Sequence, residues 1–305
     1  MNPHRITLSP KGPNFSRLAY GIWRLAEDPR GSSPSVIREK VDACLEKGIT
    51  TFDHADIYGL YTCEELFGNM LRESPGLRDS MEIVTKSGIN VDCPQRPGPR
   101  VKHYNATGKA LVRCLEDSLK KLGTDHVDLL LVHRPDCLTS ADDTADGLNR
   151  LLRDGKIRAA GVSNYNVHQF SLLNARMDQP LATNQVEFNP FHLQPIEDGV
   201  FDQCQGLGIS PMVWSPTAGG RVFDPTDSDA IRLSSMLADL SQKYEGATPD
   251  QLLYAWVLAL PCRPVCILGT NRIDRIQAAA AALDITLARE DWFAIWEAAC
   301  GREIP

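Results

Sequence analysis

Short apolar runs rich in β-branched residues alternate along this chain with longer stretches of helical period. The runs are 18–22, 50–54, 82–86, 127–133, 159–163, 182–187, 211–215 and 265–269. Each has the length and composition of a buried strand. The first helix is announced by Ser33-Pro34, a cap followed by an N1 proline, and it places Ile37, Val41 and Leu45 on one stripe before Gly48. A second spans 63–71. A third carries Val112, Leu115, Leu119 and Leu122 and closes at Gly123. Further helical patterns cover 145–152, 167–177 and 198–207, then 230–244 and 249–260 between the seventh and eighth strands, then 275–283 and an amphipathic 289–300. Ahead of the first strand, 5–8 and 15–19 flank Ser9-Pro10-Lys11-Gly12-Pro13, which predicts a small hairpin outside the main sheet. Strand–helix alternation implies βαβ units and a parallel sheet. A doubly wound dinucleotide fold would place GxGxxG after its first strand. Gly21-Ile22-Trp23-Arg24 stands there instead. The expectation is an α/β fold, a (β/α)8 TIM barrel with an N-terminal β-hairpin and extra helices, forming one domain over residues 1–305.

Composition narrows the class. Hydrophobic residues make up 43%, charged residues 23%, and the net charge is -7 with no basic run, so nucleic acid is not an expected partner. No apolar stretch approaches the ~20 residues of a membrane helix. The first residues are polar, with Pro3, Pro10 and Pro13 and no apolar signal core. Nine cysteines, scattered and odd in number, read as reduced thiols. Cys262 and Cys266 lack neighbours to complete a zinc site, and no metal is assigned. A cytoplasmic protein is expected.

In a barrel of this kind the site gathers at the C-terminal ends of the strands. Asp53, Lys86 and His133 end three adjacent strands, and Tyr58 follows Asp53 by five residues. A free phenol, with a pKa near ~10, is too weak an acid to work at neutral pH. A neighbouring ammonium favours its ionised form, a carboxylate keeps that ammonium charged, and a histidine can orient a carbonyl oxygen or relay a proton. Asp53 with Lys86 alone could be a structural ion pair, but Tyr58 and His133 in register favour the catalytic reading. His54 and Asp56 suggest a metal, but His54 alternates with Asp53 and faces the other side of the strand. A metal-dependent hydrolase on Asp53, His54, Asp56 and His133 leaves Lys86 without a purpose. His103, His126, His168 and His192 read as surface or supporting residues. Trp23 is either a wall of the substrate pocket or a core plug. Arg134 is positioned for a substrate anion, a cofactor phosphate or a plain salt bridge. The Pro-rich loop 88–107 is a candidate lid, with Asp92, Arg96 and Lys102 as solvated charge.

The segments TFDHADIYG from Thr51, IVTK ending at Lys86, SLKKLGTDHVDLLLVHRP from Ser118, GKIRAAGVSNY from Gly155, TNQVEFNP from Thr183 and VWSP from Val213 resemble the motifs of the aldo-keto reductases, most nearly a bacterial branch of oxidoreductases. The resemblance covers nearly the whole chain. It implies catalytic Asp53, Tyr58, Lys86 and His133, with Tyr58 as general acid/base and Trp23, Tyr58 and His133 meeting substrate. It implies a nicotinamide held by Ser163, Asn164 and Gln185 over Trp214, with Gly21, Trp23 and Asp53 counted in the same cofactor wall. Ser215, Thr217, Gly219, Gly220 and Arg221 match the pyrophosphate loop. Gly269, Thr270, Asn271, Arg272 and Arg275 match the segment holding the adenosine 2′-phosphate, where two arginines at a helix start favour NADP(H) over NAD(H). Ala278 and Ala279 stand where the family often has an acidic residue and an Asn against adenine. The implied reaction is reversible reduction of a small-molecule aldehyde or ketone to an alcohol, by a monomer or weak oligomer. A redox-sensing or regulatory NADPH-binding protein with slow turnover is the other reading. The chain is short after Cys300, which suggests an open pocket.

Overall fold

The computed structural model describes residues 4–304. The chain opens with an antiparallel hairpin, β1 (Arg5–Thr7) and β2 (Asn14–Ser16). Its eight barrel strands are β3 (Leu18–Gly21), β4 (Thr51–Asp53), β5 (Glu82–Ser87), β8 (Val127–Val132), β9 (Ile157–Ser163), β10 (Asn184–Glu187), β11 (Met212–Trp214) and β12 (Val265–Leu268), all parallel and closed in that order. Between β5 and β8, the short β6 (Ile89–Asn90) and β7 (His103–Tyr104) pair antiparallel and tie together the ends of the loop they bound. Each expected run became a strand: six are shorter than expected by one or two residues, while β5 runs one residue further and β9 starts two residues earlier.

The helices are α1 (Pro34–Glu46), α2 (Cys63–Arg72), α3 (Gly108–Leu122), α4 (Ala141–Arg153), α5 (Val167–Asn174), α6 (Gln194–Glu197), α7 (Val200–Leu207), α8 (Ser228–Lys243), α9 (Pro249–Leu258), α10 (Ile273–Ala279) and α11 (Arg289–Cys300). Ser33 caps α1 as its sequence predicts, and Gly123 ends α3 in the left-handed conformation. α4 begins four residues before the predicted 145, because Ser140 accepts a hydrogen bond from the Asp143 amide and Asp142 and Asp143 suit the positive N-terminus. This polar first turn has no apolar stripe to betray it. α5 ends at Asn174 rather than 177, and α6 was not anticipated. A Cβ placed on Gly147 would lie 2.3 Å from the Gly108 Cα, so α3 and α4 cross backbone against backbone.

Alternation along the strands makes the barrel interior. Ala19, Val84, Leu129, Leu131, Ala159, Met212, Val265 and Ile267 form an inner apolar cluster, and Ile6, Leu8 and Phe15 of the hairpin belong to it. The hairpin is a separate sheet, as expected, and its apolar side chains plug the N-terminal mouth of the barrel. Arg5 fixes it there, donating to Thr50 at 2.7 Å and to Glu82 at 2.6 Å, at the starts of β4 and β5. The other face of each strand, including Phe52, Ile83, Leu130 and Val213, packs beneath the helices. Among the described residues no helix is long and apolar enough to cross a membrane. All nine cysteines are free thiols, with only Cys137 and Cys300 exposed.

Candidate active site

Two residues beyond the inner apolar cluster, the inward positions turn polar. Val84 is followed by Lys86, Leu131 by His133 and Met212 by Trp214 at the same period-two spacing. These ends open into a cleft of about 760 Å³.

At its floor the Lys86 ammonium donates to Asp53 Oδ2 at 2.7 Å, to the Tyr58 hydroxyl at 2.8 Å and to the His54 carbonyl at 2.9 Å. The second oxygen of Asp53 accepts a 2.7 Å hydrogen bond from Gln185 Nε2. Lys86 and Asp53 are both buried, so neither has water as a competing partner. Burial alone opposes the charge on Lys86, but Asp53 and then Tyr58 outweigh it and raise its pKa. The His133 and Tyr58 rings meet edge to face, with centroids 6.1 Å apart. Burial, then the charges of Lys86, Arg134 and Lys102, hold His133 well below its ordinary pKa. It is therefore a neutral imidazole, with a single N–H to donate.

The phenol departs from the sequence expectation. Burial raises the Tyr58 pKa, and the opposing pull of Lys86 does not reverse that shift. Tyr58 is thus a protonated phenol, hydrogen-bonded to an ammonium that stabilises its anion once the proton leaves. The following turn is strained: Gly59, Leu60 and Tyr61 have φ of 58°, 53° and 70°. Contacts with the next loop hold it, since the Tyr61 hydroxyl donates to the Ile89 carbonyl at 3.0 Å and accepts from the Val91 amide at 3.3 Å.

The opposite wall comes from β9 to β12. Ser163 Oγ donates to the Gln185 carbonyl at 2.9 Å, and Asn164 Nδ2 donates to Ser163 Oγ at 2.8 Å. Trp214 Nε1 donates to Asn164 Oδ1 at 3.3 Å, which fixes the indole plane beside the cleft. Ser215, Thr217, Gly219, Gly220, Gly269, Thr270, Asn271 and Arg275 line the same wall, as does Gly21. A Cβ on Gly219, Gly220 or Gly269 would meet nothing within 4 Å, so these backbones face open space. A long ligand with a planar ring at one end and phosphates beyond it fits this wall: a flat indole, bare backbone at the three glycines, and the Arg275 cation at the far end.

Three sequence-predicted residues sit differently. Arg221 and Arg272 are off the cleft wall. Arg221 is drawn to Asp227 and Asp229 at 2.6 and 3.3 Å, and Arg272 pairs with Asp274. Asn271 lines the cleft, but its side chain is occupied: Nδ2 donates to the Arg24 carbonyl, and Oδ1 accepts from Tyr20 and Lys40. Trp23 is 54% exposed and lines the cleft, so it is a wall and not a core plug. Arg96 is not merely solvated charge: it lies 3.8 Å from buried Asp56, covers the Tyr61 ring at 4.6 Å and donates to Cys114 Sγ. His54 is buried edge-on against Phe67, away from the cleft. Among the described residues no three His, Cys, Asp or Glu side chains gather as metal ligands. The sequence reading missed Phe223, Asp250 and Tyr254 in the cleft wall. The i, i+4 spacing of Asp250 and Tyr254 puts them on one face of α9, but nothing local says which face meets the cleft.

A parallel (β/α)8 barrel with a buried Asp–Lys–Tyr chain beside a neutral histidine is an oxidoreductase architecture, and the chain belongs to the aldo/keto reductase family, whose profile matches residues 17–299. It is 42% identical to the oxidoreductase YdhF of Escherichia coli over 301 residues, covering 99% of each chain. It is 41% identical to a 6-dehydroglucose reductase of Agrobacterium fabrum over 300 residues, covering 98% of this chain and 99% of that one. Among solved structures it resembles the thermostable aldo-keto reductase Tm1743 in complex with the inhibitor epalrestat, with a TM-score of 0.80, 26% identity and coverage of 96% of this chain and 99% of that one.

Proposed function

We propose that this chain is a cytoplasmic NADP(H)-dependent reductase that converts a small aldehyde or ketone reversibly to the alcohol, with Tyr58 as the general acid. The observation that carries the reading is the Lys86 ammonium, held by Asp53 and bonded at 2.8 Å to the Tyr58 hydroxyl. When bound, the nicotinamide supplies hydride to the carbonyl carbon. Ser163, Asn164 and Gln185 would hold its carboxamide, Trp214 would support the ring, the Gly219–Gly220 backbone would take the pyrophosphate, and Arg275 would meet the 2′-phosphate. The neutral His133 imidazole donates to the substrate oxygen and orients it. As negative charge builds on that oxygen, Tyr58 releases its proton to it. Lys86 stabilises the phenolate left behind, and Asp53 keeps Lys86 charged throughout. In the oxidative direction the phenolate takes the hydroxyl proton back. The 6-dehydroglucose reductase relative supports an aldehyde or ketone as the electron acceptor.

Tyr58→Phe removes the proton donor and leaves the opposite wall intact. Turnover of a carbonyl substrate should fall by about 10²–10⁴-fold, while NADPH still quenches tryptophan fluorescence with an affinity within about threefold of the parent. A variant that retains the parent kcat overturns the assignment. Tighter binding of NADPH than of NADH, weakened by Arg275→Ala for NADPH only, tests the 2′-phosphate contact in the same titration.

A further inference from the structure

The cleft is built from two halves of the barrel. The strands from β9 to β12 carry the residues proposed for the cofactor, while those from β3 to β8 carry Trp23, Asp53, Tyr58, Lys86 and His133. Three cations line the second half, and one of them, Arg24, is committed to the Gly219 carbonyl and the Trp23 ring. Arg134 directly follows His133 at the end of β8, and Lys102 lies on the loop after β5, the strand paired with β8. Among the described residues neither side chain makes a hydrogen bond or an ion pair. Arg134 is the chain neighbour of His133, and Lys102 lies on the loop that leaves β5 one residue after Lys86, and both line the cleft.

The nearby carboxylates are committed elsewhere. Asp136, two residues after Arg134, accepts from the Ala106 and Leu138 amides and from Thr139. Asp53 is divided between Lys86 and Gln185. Asp92, on the same loop as Lys102, accepts from the Gly98 amide, and Asp56 lies against Arg96. Glu27 and Asp250 line the cleft from the loop after β3 and from α9, not from the elements that carry the two cations. Two unpaired like charges on one wall of a protein of net charge -7 call for an anion that the chain does not supply. The segments proposed for the cofactor phosphates leave β11 and β12, across the barrel, so those phosphates are not that anion.

We propose that Arg134 and Lys102 form an anion subsite for the non-reacting end of the substrate, so that the carbonyl compound this chain prefers carries a negative group such as a carboxylate. The inference rests on the reductase reading. Arg134 offers a planar fork to that group, and Lys102 adds a mobile charge from the loop above.

The test compares 4-oxobutanoate with butanal, two aldehydes of equal chain length that differ in the terminal carboxylate. The readout is the ratio of their kcat/KM values with NADPH. The full-length parent should favour 4-oxobutanoate by about tenfold or more, and Arg134→Gln should collapse most of that preference through KM. Lys102→Gln, on an exposed loop position, should reduce it less and should weaken its salt dependence. Succinate should inhibit butanal reduction competitively in the parent and far less in Arg134→Gln. Equal efficiency on both aldehydes, or a preference that survives both substitutions, overturns the subsite and leaves the reductase reading standing. Turnover of neither aldehyde overturns both.

Discussion

His54 and Asp53 are neighbours in sequence with opposite fates. Asp53 points inward to Lys86, while His54 points outward and is buried against Phe67 with neither ring nitrogen hydrogen-bonded. Burial, then the charges of Lys86 and Arg78, push the His54 pKa down to about 3. Between that value and the ordinary ~6.5, the unfolded chain binds a proton that the folded one refuses. Stability is therefore whole above pH ~6.5 and declines as pH falls, by about 1.4 kcal/mol per unit at most for one such residue. His54→Leu should flatten this acid limb. In urea unfolding, the parent should lose roughly 2 kcal/mol more than the variant between pH 7.5 and pH 5. Equal losses would show that His54 does not titrate on unfolding. The fates of these two side chains were legible in the sequence because strand periodicity is exact where both faces are buried. The Tyr58 pKa was not, since it depends on how far the closed barrel strips water from the phenol, and sequence spacing carries no measure of that.

Among the elements, the loop between β5 and α3 proved least legible. Its length suggested a lid, but its charges gave no hint of what they touch. The structure turns Arg96 inward, over Tyr61 and toward Asp56, whose carboxyl is itself pushed up to about 8 by burial and by Glu64. Through Tyr61 the loop braces the left-handed turn after Tyr58. Arg96→Ala should loosen both segments together. Limited proteolysis should cut within 88–107 at least several-fold faster than in the parent, and kcat should fall while the far-ultraviolet spectrum stays unchanged. Parent-like proteolysis would mean that Ile89 and Val91 suffice to hold the turn. Helix starts failed in a related way. The first turn of α4 is polar, so apolar periodicity finds it only from Ala145, whereas the Ser140 cap marks its true beginning.

At the scale of the whole molecule, the barrel count and order could be read from strand–helix alternation, because each parallel strand needs a crossover and each crossover here shows its own stripe. The hairpin outside the barrel sheet was read correctly, but not its seat, since a three-residue strand says nothing about which mouth it covers. Phe15 is fully buried at that mouth among residues of several strands. Phe15→Ala should destabilise the fold by about 3–5 kcal/mol, seen as a lower urea midpoint with one cooperative transition. A loss below about 1 kcal/mol would show that the hairpin is an ornament and not a plug.

The division of labour between the two arcs of the barrel bears on how such a gene can diversify. On the proposed reading, residues up to His133 and Arg134 would shape what is reduced and residues from Ser163 onward would face the coenzyme, while across the floor Gln185 of one arc holds Asp53 of the other. A crossover in the coding sequence between α4 and β9 would separate these duties at an exposed turn, with the Gln185–Asp53 contact, the Asn271 bonds to Arg24, Tyr20 and Lys40, and the β8–β9 and β12–β3 pairings as the seam that both parents must share. Lineages can then trade substrate repertoires by recombination while inheriting one coenzyme preference unchanged.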